Sequence, residues 1–195
     1  MKRCVCVVLL LVFCAVACSK SVAPPPSPTL PVPTGPFPPG PISLAVHIKS
    51  QTLEVFLGER VVRSYLVSTS RFGEGFENSS HKTPLGQHQI YKKIGAGEPV
   101  GRVFVGREPY PFIAPIWHHA PKNSEPRYIT TRILWLDGLE NRNANTRTRY
   151  IYIHGTNQEG AIGHPDSIGC IYMKNTDIIE LFDIVEEGTV IDIEY

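Results

Sequence analysis

His154 and Cys170 are the residues in this sequence best suited to covalent chemistry. They stand 16 positions apart, and each sits where an apolar run meets a glycine: Tyr152-Ile153-His154-Gly155 and Ser167-Ile168-Gly169-Cys170. A thiol becomes a strong nucleophile when ionised, and an imidazole within reach can take its proton. Both groups need an open edge rather than a core position, and strand ends on a rigid sheet provide one. The competing interpretation is an inert buried cysteine. The glycine before Cys170 and the histidine upstream weigh against it.

The elements that must position this pair can be read from the pattern of apolar residues. Around His154 the chain alternates: Ile151 and Ile153 point one way, and Tyr150, Tyr152 and His154 the other. This strand is expected to break at Gly155, and a loop with Gly160, Gly163 and Pro165 leads on to Ser167. Earlier in the chain, residues 44–48, 52–57 and 61–67 read as strands of an antiparallel meander, with Gly58-Glu59-Arg60 as a turn. Residues 68–80 form a polar loop, and residues 82–90 a turn leading into a strand. Residues 94–123 are rich in Gly and Pro and carry Phe104, Tyr110, Phe112 and Trp117. They read as a long irregular insertion of the kind that usually serves function. Within it, His118 and His119 are adjacent and would face opposite ways, which makes them a poor pair for one metal.

A strand at 129–137 and a polar loop at 138–148 precede the His/Cys stretch. One clear helix follows at 175–187. Asn175 or Thr176 is expected to cap it, Ile178, Leu181, Phe182 and Val185 form its buried stripe, and Gly188 stops it. Residues 189–193 read as a last strand. The fold class is mostly β with minor α: one domain with a C-terminal helix packed on a sheet.

The N-terminal residues indicate a destination. Lys2 and Arg3 precede an apolar stretch, 4–17, too short to span a bilayer, which reads as a signal peptide. Ala15-Val16-Ala17-Cys18 resembles a bacterial lipobox, so the expected organisation is signal peptide 1–17, lipidated Cys18 with a linker over 18–41, and a folded domain over 42–195. Ten of the 23 residues from 19 to 41 are proline. Such a segment favours an extended spacer, reaching up to about 70 Å at ~3.1 Å per residue. The membrane is then met through the lipid anchor on Cys18. Ser19, rather than Asp, favours the outer membrane where the host has one, giving a periplasm-facing lipoprotein.

Of the five cysteines, Cys4, Cys6 and Cys14 leave with the signal peptide and Cys18 is lipidated, so Cys170 remains as a lone thiol. Net charge is +1, or −1 once Lys2 and Arg3 are removed. No basic stripe stands out, which argues against a nucleic-acid partner.

Tyr152-Ile153-His154-Gly155-Thr156 and Ser167-Ile168-Gly169-Cys170-Ile171-Tyr172-Met173-Lys174-Asn175-Thr176-Asp177 together resemble the catalytic motif of the L,D-transpeptidase (YkuD) family. Lys82-Thr83-Pro84-Leu85-Gly86 resembles that family's Thr-Pro-x-Gly turn. The resemblance covers residues 42–193 and implies a sandwich or barrel-like β domain.

It also implies roles. Cys170 matches the nucleophile and His154 its base. The Gly155 carbonyl would orient the imidazole. Ser167 and Gly169 flank the nucleophile, and backbone N–H groups around Cys170 would form the oxyanion hole. Two positions depart from the motif: Ile168 stands where His is common, and Tyr172 where the family usually has Arg. Lys174 is a candidate to supply the missing charge.

The implied partners are peptidoglycan stem peptides. Cys170 would take an acyl group from a tetrapeptide stem, and an amine would receive it in a 3→3 crosslink or in attachment of a protein to the wall. No metal and no organic cofactor are called for. The residues leave open a peptidoglycan L,D-carboxypeptidase or endopeptidase, a non-catalytic wall-binding lipoprotein, and the oligomeric state. A zinc site built from His154, His164 and Cys170 is disfavoured, because gaps of nine and five residues match no tight zinc spacing.

Overall fold

The computed structural model describes residues 40–120 and 125–195. The expected signal peptide, lipidation at Cys18 and linker through residue 39 fall outside the described residues, as do positions 121–123 of the long insertion.

The chain opens with the expected meander. Strands β1 (Ile42–His47), β2 (Thr52–Leu57) and β3 (Arg60–Leu66) pair antiparallel, with Leu44 opposite Val55 and Leu53 opposite Tyr65. Their alternation places Leu44, Val46, Leu53 and Val55 on one buried face. After a loop come β4 (Gly86–Ile94), β5 (Arg102–Val105), β6 (Glu108–Ile113) and β7 (Ile129–Gly138). The sequence reading of 94–123 as irregular is corrected here, because β5 and β6 form a hairpin within it. Pro109 and Pro111 obscured β6. Proline cannot donate to a ladder, but an edge strand tolerates it, and β6 is the exposed last strand on its side of the sheet.

The remaining elements are β8 (Tyr152–Thr156), β9 (Ile171–Met173), helix α1 (Asn175–Ile184) and β10 (Val190–Glu194). Here the pairing departs from a plain meander. β10 enters between β1 and β4, parallel to β1 and antiparallel to β4. β9 pairs parallel with β8. The ten strands form one connected sheet in the order β3-β2-β1-β10-β4-β7-β5-β6, with β8 and β9 branching from β7. Just past β3, Ser68 bridges to Tyr172 on β9, exchanging backbone hydrogen bonds of 3.0 and 2.9 Å. That bridge joins the two ends of the path β3-β2-β1-β10-β4-β7-β8-β9 into a barrel-like ring.

The interior is a single cluster drawn from β1, β2, β3, β4, β7, β8, β9, β10 and α1, including Leu134, Ile153, Ile171, Met173 and Ile191. Helix α1 packs on β7 and β8 and buries Ile178, Leu181 and Phe182, as its spacing requires. Each such side chain contributes roughly 1.5–3 kcal/mol by leaving water.

The helix ends differ from the sequence reading. Neither Asn175 nor Thr176 caps it. The N-cap position is Lys174, which makes no side-chain cap, and the Asn175 N–H is accepted by Glu159 Oε1 at 2.7 Å. The helix stops at Ile184, because Val185 turns extended while its side chain stays in the core. Gly188 serves the turn into β10, where its N–H donates to Ile90 O at 2.8 Å.

Candidate active site

His154 lies in the middle of β8 and is buried. The strand does not break at Gly155 as expected, but continues to Thr156. Glycine is required there for closeness. A Cβ at 155 would lie 2.7 Å from Thr130 O and 2.8 Å from Asn175 Oδ1. The Gly155 carbonyl meets His154 Nδ1 at 2.8 Å. A carbonyl can only accept, so Nδ1 carries the proton and Nε2 presents its lone pair. Burial lowers the imidazole pKa to about 4, which keeps the ring neutral at pH 7.

The parallel register sets Ile171 beside Ile153 and Tyr172 beside His154. Inward-facing Ile153, Ile171 and Met173 belong to the core, so the alternate residues Tyr152, His154 and Tyr172 face outward. Cys170, one residue ahead of β9, packs on that outer face against the Phe104, Ile133 and Tyr152 cluster. It is a half-buried free thiol. Its Sγ donates to the Tyr150 carbonyl at 3.5 Å and, among the described residues, not to His154. Tyr150 takes a left-handed backbone, φ 58°, on the way into β8. Burial pushes the Cys170 thiol up to about 11, while a backbone hydrogen bond from Tyr152 and the charge of Arg149 pull against it. The resting pair is therefore neutral thiol with neutral imidazole.

The turn before Cys170 is held at several points. Ser167 is fully buried; its hydroxyl donates to the Cys170 carbonyl at 2.5 Å and accepts the Gly169 N–H at 3.2 Å. Gly169 has φ 123°, a conformation that side chains rarely adopt. Its carbonyl accepts the Thr83 hydroxyl at 3.0 Å, and Thr83 Oγ1 in turn accepts the Ser70 N–H at 3.0 Å. The Thr-Pro-x-Gly segment is thus a brace for the turn that carries Cys170.

A sequence model of the L,D-transpeptidase catalytic domain family, YkuD, matches residues 41–193. The chain belongs to this family. It is 27% identical over 150 residues to the protein named YkuD of Bacillus subtilis strain 168, covering 76% of this chain and 63% of that one. It is 26% identical over 153 residues to its Bacillus licheniformis namesake, covering 78% and 66%. The chain thus spans about two thirds of the length of these relatives. Among solved structures it is similar to an L,D-transpeptidase from Mycobacterium smegmatis, with 18% identity, 79% of this chain and 58% of that one covered, and a TM-score of 0.48. It is also similar to one from Xylanimonas cellulosilytica, with 18% identity, 81% and 62% covered, and a TM-score of 0.49.

Where YkuD domains usually carry arginine, Tyr172 is buried, with its ring 4.8 Å from the His154 ring. Burial raises its phenol pKa strongly, and Arg127 opposes that rise. Arg127 itself forms an ion pair with Asp166. Ile168 is exposed beside the thiol turn, and Lys174 is exposed at the start of α1.

Two residues matter more here than the sequence indicated. Asn175, expected only as a cap, is a buried hub. Its Oδ1 accepts the Thr130 and Thr131 hydroxyls at 2.7 and 2.5 Å, and its Nδ2 donates to Thr156 O and Glu159 Oε1 at 2.8 and 2.7 Å. Consecutive threonines reach one atom because β7 bulges there, with Thr131 at φ 69°. The second is Arg149, in the loop before β8, whose charge acts on Cys170.

Four other histidines have surroundings of their own. His118 pairs with Glu159 at 3.2 Å and His119 with Glu125 at 2.9 Å. His88 is buried between Gly86 O at 2.8 Å and Thr146 Oγ1 at 3.1 Å. His164 is exposed. Among the described residues no three His, Cys, Asp or Glu gather as a metal site.

Proposed function

We propose that this chain is a peptidoglycan L,D-transpeptidase with Cys170 as nucleophile and His154 as base. The observation that carries this reading is the shared outer face of β8 and β9, which holds the thiol and an imidazole whose Nε2 lone pair is available.

Neither group ionises alone at pH 7, so proton transfer accompanies attack on a bound substrate. Sγ bonds to the carbonyl carbon of the third stem residue while its proton passes to His154 Nε2. The oxyanion is received by backbone N–H at Cys170, because the Gly169 N–H is engaged by Ser167. The C–N bond breaks, and the leaving D-alanine amine takes the proton from the imidazolium. An amine of a second stem then attacks the thioester, gives its proton to His154, and frees Cys170. Ser167 and Gly169 position the thiol turn, Gly155 holds the imidazole, and Tyr172 supports it from the next strand.

Protein masses and products recorded after incubation with a disaccharide tetrapeptide, beside Cys170→Ala, test this reading. A Cys170-dependent adduct with loss of alanine and a 3→3 dimer is expected. Tripeptide as sole product would make the chain a carboxypeptidase. No adduct, together with no acylation by a carbapenem, would refute the enzyme.

The lipobox supports export and attachment through Cys18. Cys18→Ala is expected to move the protein from the membrane to the soluble fraction.

A further inference from the structure

A pocket of about 460 Å³ opens next to the turn that precedes Cys170, lined by Asn78, Ser79, His81, Arg149, Tyr150 and Ile168 among others. Two of these flank Cys170 directly: the Tyr150 carbonyl accepts its Sγ–H at 3.5 Å, and Ile168 lies two residues before it. Arg149 is the cation of this pocket and is half-buried. Its guanidinium hydrogen-bonds to neutral groups, while the Glu77 carboxylate acts on it only through space. Nη1 donates to Gly75 O at 3.0 Å, and Nη2 donates to Ser80 Oγ at 3.3 Å and to Lys82 O at 2.6 Å.

A guanidinium has five N–H donors, and these bonds use three. Every carboxylate ion pair found among the described residues involves another cation. A partly desolvated cation with donors to spare, in a pocket next to the thiol turn and near enough for its charge to act on Cys170, is suited to take an anion.

Resting on the proposed transpeptidase reading, we propose that Arg149 binds a carboxylate of the acyl donor and is a specificity-determining residue of this site. The planar fork of Arg suits a carboxylate in two-point contact. It would orient the donor so that the carbonyl to be attacked faces Sγ. The donor offers two such groups close to that carbonyl: the C-terminal carboxylate of the residue that leaves, and any carboxylate on the side chain of the third residue. Burial also lowers the Arg149 pKa, in keeping with a charge short of solvent.

The test uses the unaltered protein first. Cys170 acylation is timed with a tetrapeptide donor in three forms: free acid, C-terminal amide, and third-residue side-chain amide. One amidation is expected to slow acylation at least about tenfold, and which one does so identifies the carboxylate bound. Equal rates for all three would overturn the proposal and leave the transpeptidase reading intact. Arg149→Gln is expected to slow the preferred donor and erase the discrimination, mainly through KM.

If no donor acylates the unaltered protein, the transpeptidase reading fails, and the anion site is judged by alkylation alone. The ratio of iodoacetate to iodoacetamide rates at Cys170 is expected to fall several-fold in Arg149→Gln and to be kept in Arg149→Lys. An unchanged ratio in Arg149→Gln would overturn the site. A ratio lost equally in Arg149→Lys would also overturn it, by tying the effect to the loop carbonyls rather than to the charge.

Discussion

The Tyr172 ring lies 4.8 Å from the His154 imidazole, centroid to centroid and tilted by 53°, across the parallel pair β8 and β9. An aromatic side wall here replaces the charge that the sequence motif led one to expect. Its ring lies against the imidazole, and its hydroxyl takes a backbone hydrogen bond from Ile168 in the thiol turn. Tyr172→Phe should keep the Cys170 acylation rate within about threefold, whereas Tyr172→Ala should lower it by about tenfold or more, because the base loses its lateral support. A time course of carbapenem acylation, followed by protein mass, checks both.

Gly155 and Asn175 form a close-packed contact next to His154. In Gly155→Ala the new methyl group would press on Thr130 O and Asn175 Oδ1. The expected cost is about 1–3 kcal/mol of stability, with a shifted 155 carbonyl and slower acylation. Asn175→Ala would leave two threonine hydroxyls and the Thr156 carbonyl without their partner. A loss of about 3 kcal/mol is expected. Urea unfolding midpoints measure both variants.

Arg107, at the turn of the β5–β6 hairpin, ties it to the outer face of the barrel. Its guanidinium lies 4.7 Å from the Trp135 ring and 5.1 Å from the Tyr150 ring, and it donates to Tyr152 Oη at 3.2 Å. Each cation–π contact is worth about 0.5–1 kcal/mol at such a site. Arg107→Ala should loosen the hairpin and admit water to the thioester, so the ratio of hydrolysed to transferred product should rise. Chromatography of the reaction products reads this ratio directly.

His88 gives the fold a pH dependence away from the thiol. Burial lowers its pKa to about 4, below the ordinary 6.5. The unfolded chain therefore binds a proton on this residue at a higher pH than the folded chain does. Stability is fully present above pH 6.5 and declines as pH falls toward 4, by up to about 3 kcal/mol for this residue. His154, also held near 4, adds to the same decline. His88→Gln should be less sensitive between pH 6.5 and 4.5 than the unaltered protein in urea unfolding.

Local patterns in the sequence carried much of this architecture. The alternation of Leu53, Val55 and Leu57 and the stripe of Ile178, Leu181 and Phe182 each report one buried face, and those elements form where expected. The family was legible because the surroundings of His154 and Cys170 repeat its pattern. What stayed hidden depends on distant segments. Nothing within Val190–Glu194 states that it pairs parallel to β1. Asn175 shows a cap-like residue type, but its partners lie on β7, on β8 and in the following loop, brought together by a bulge. Arg149 sits in a polar loop where a cation attracts no notice until the fold brings its charge to bear on Cys170. His88 reads as a polar residue on a strand, and only tertiary packing reveals it as buried.

The position of β10 bears on how the molecule comes into being. Val190–Glu194 fill the gap between β1 and β4, so the ring stays open until those residues are delivered. A chain emerging from a ribosome or a translocation pore would lack the join between β1 and β4 until then, although β7 already gathers the hairpin, β8 and the helix. Contacts so distant in sequence make folding slow and late. The last strand to be made is thus the one that closes the ring between the first strand and the middle of the sheet.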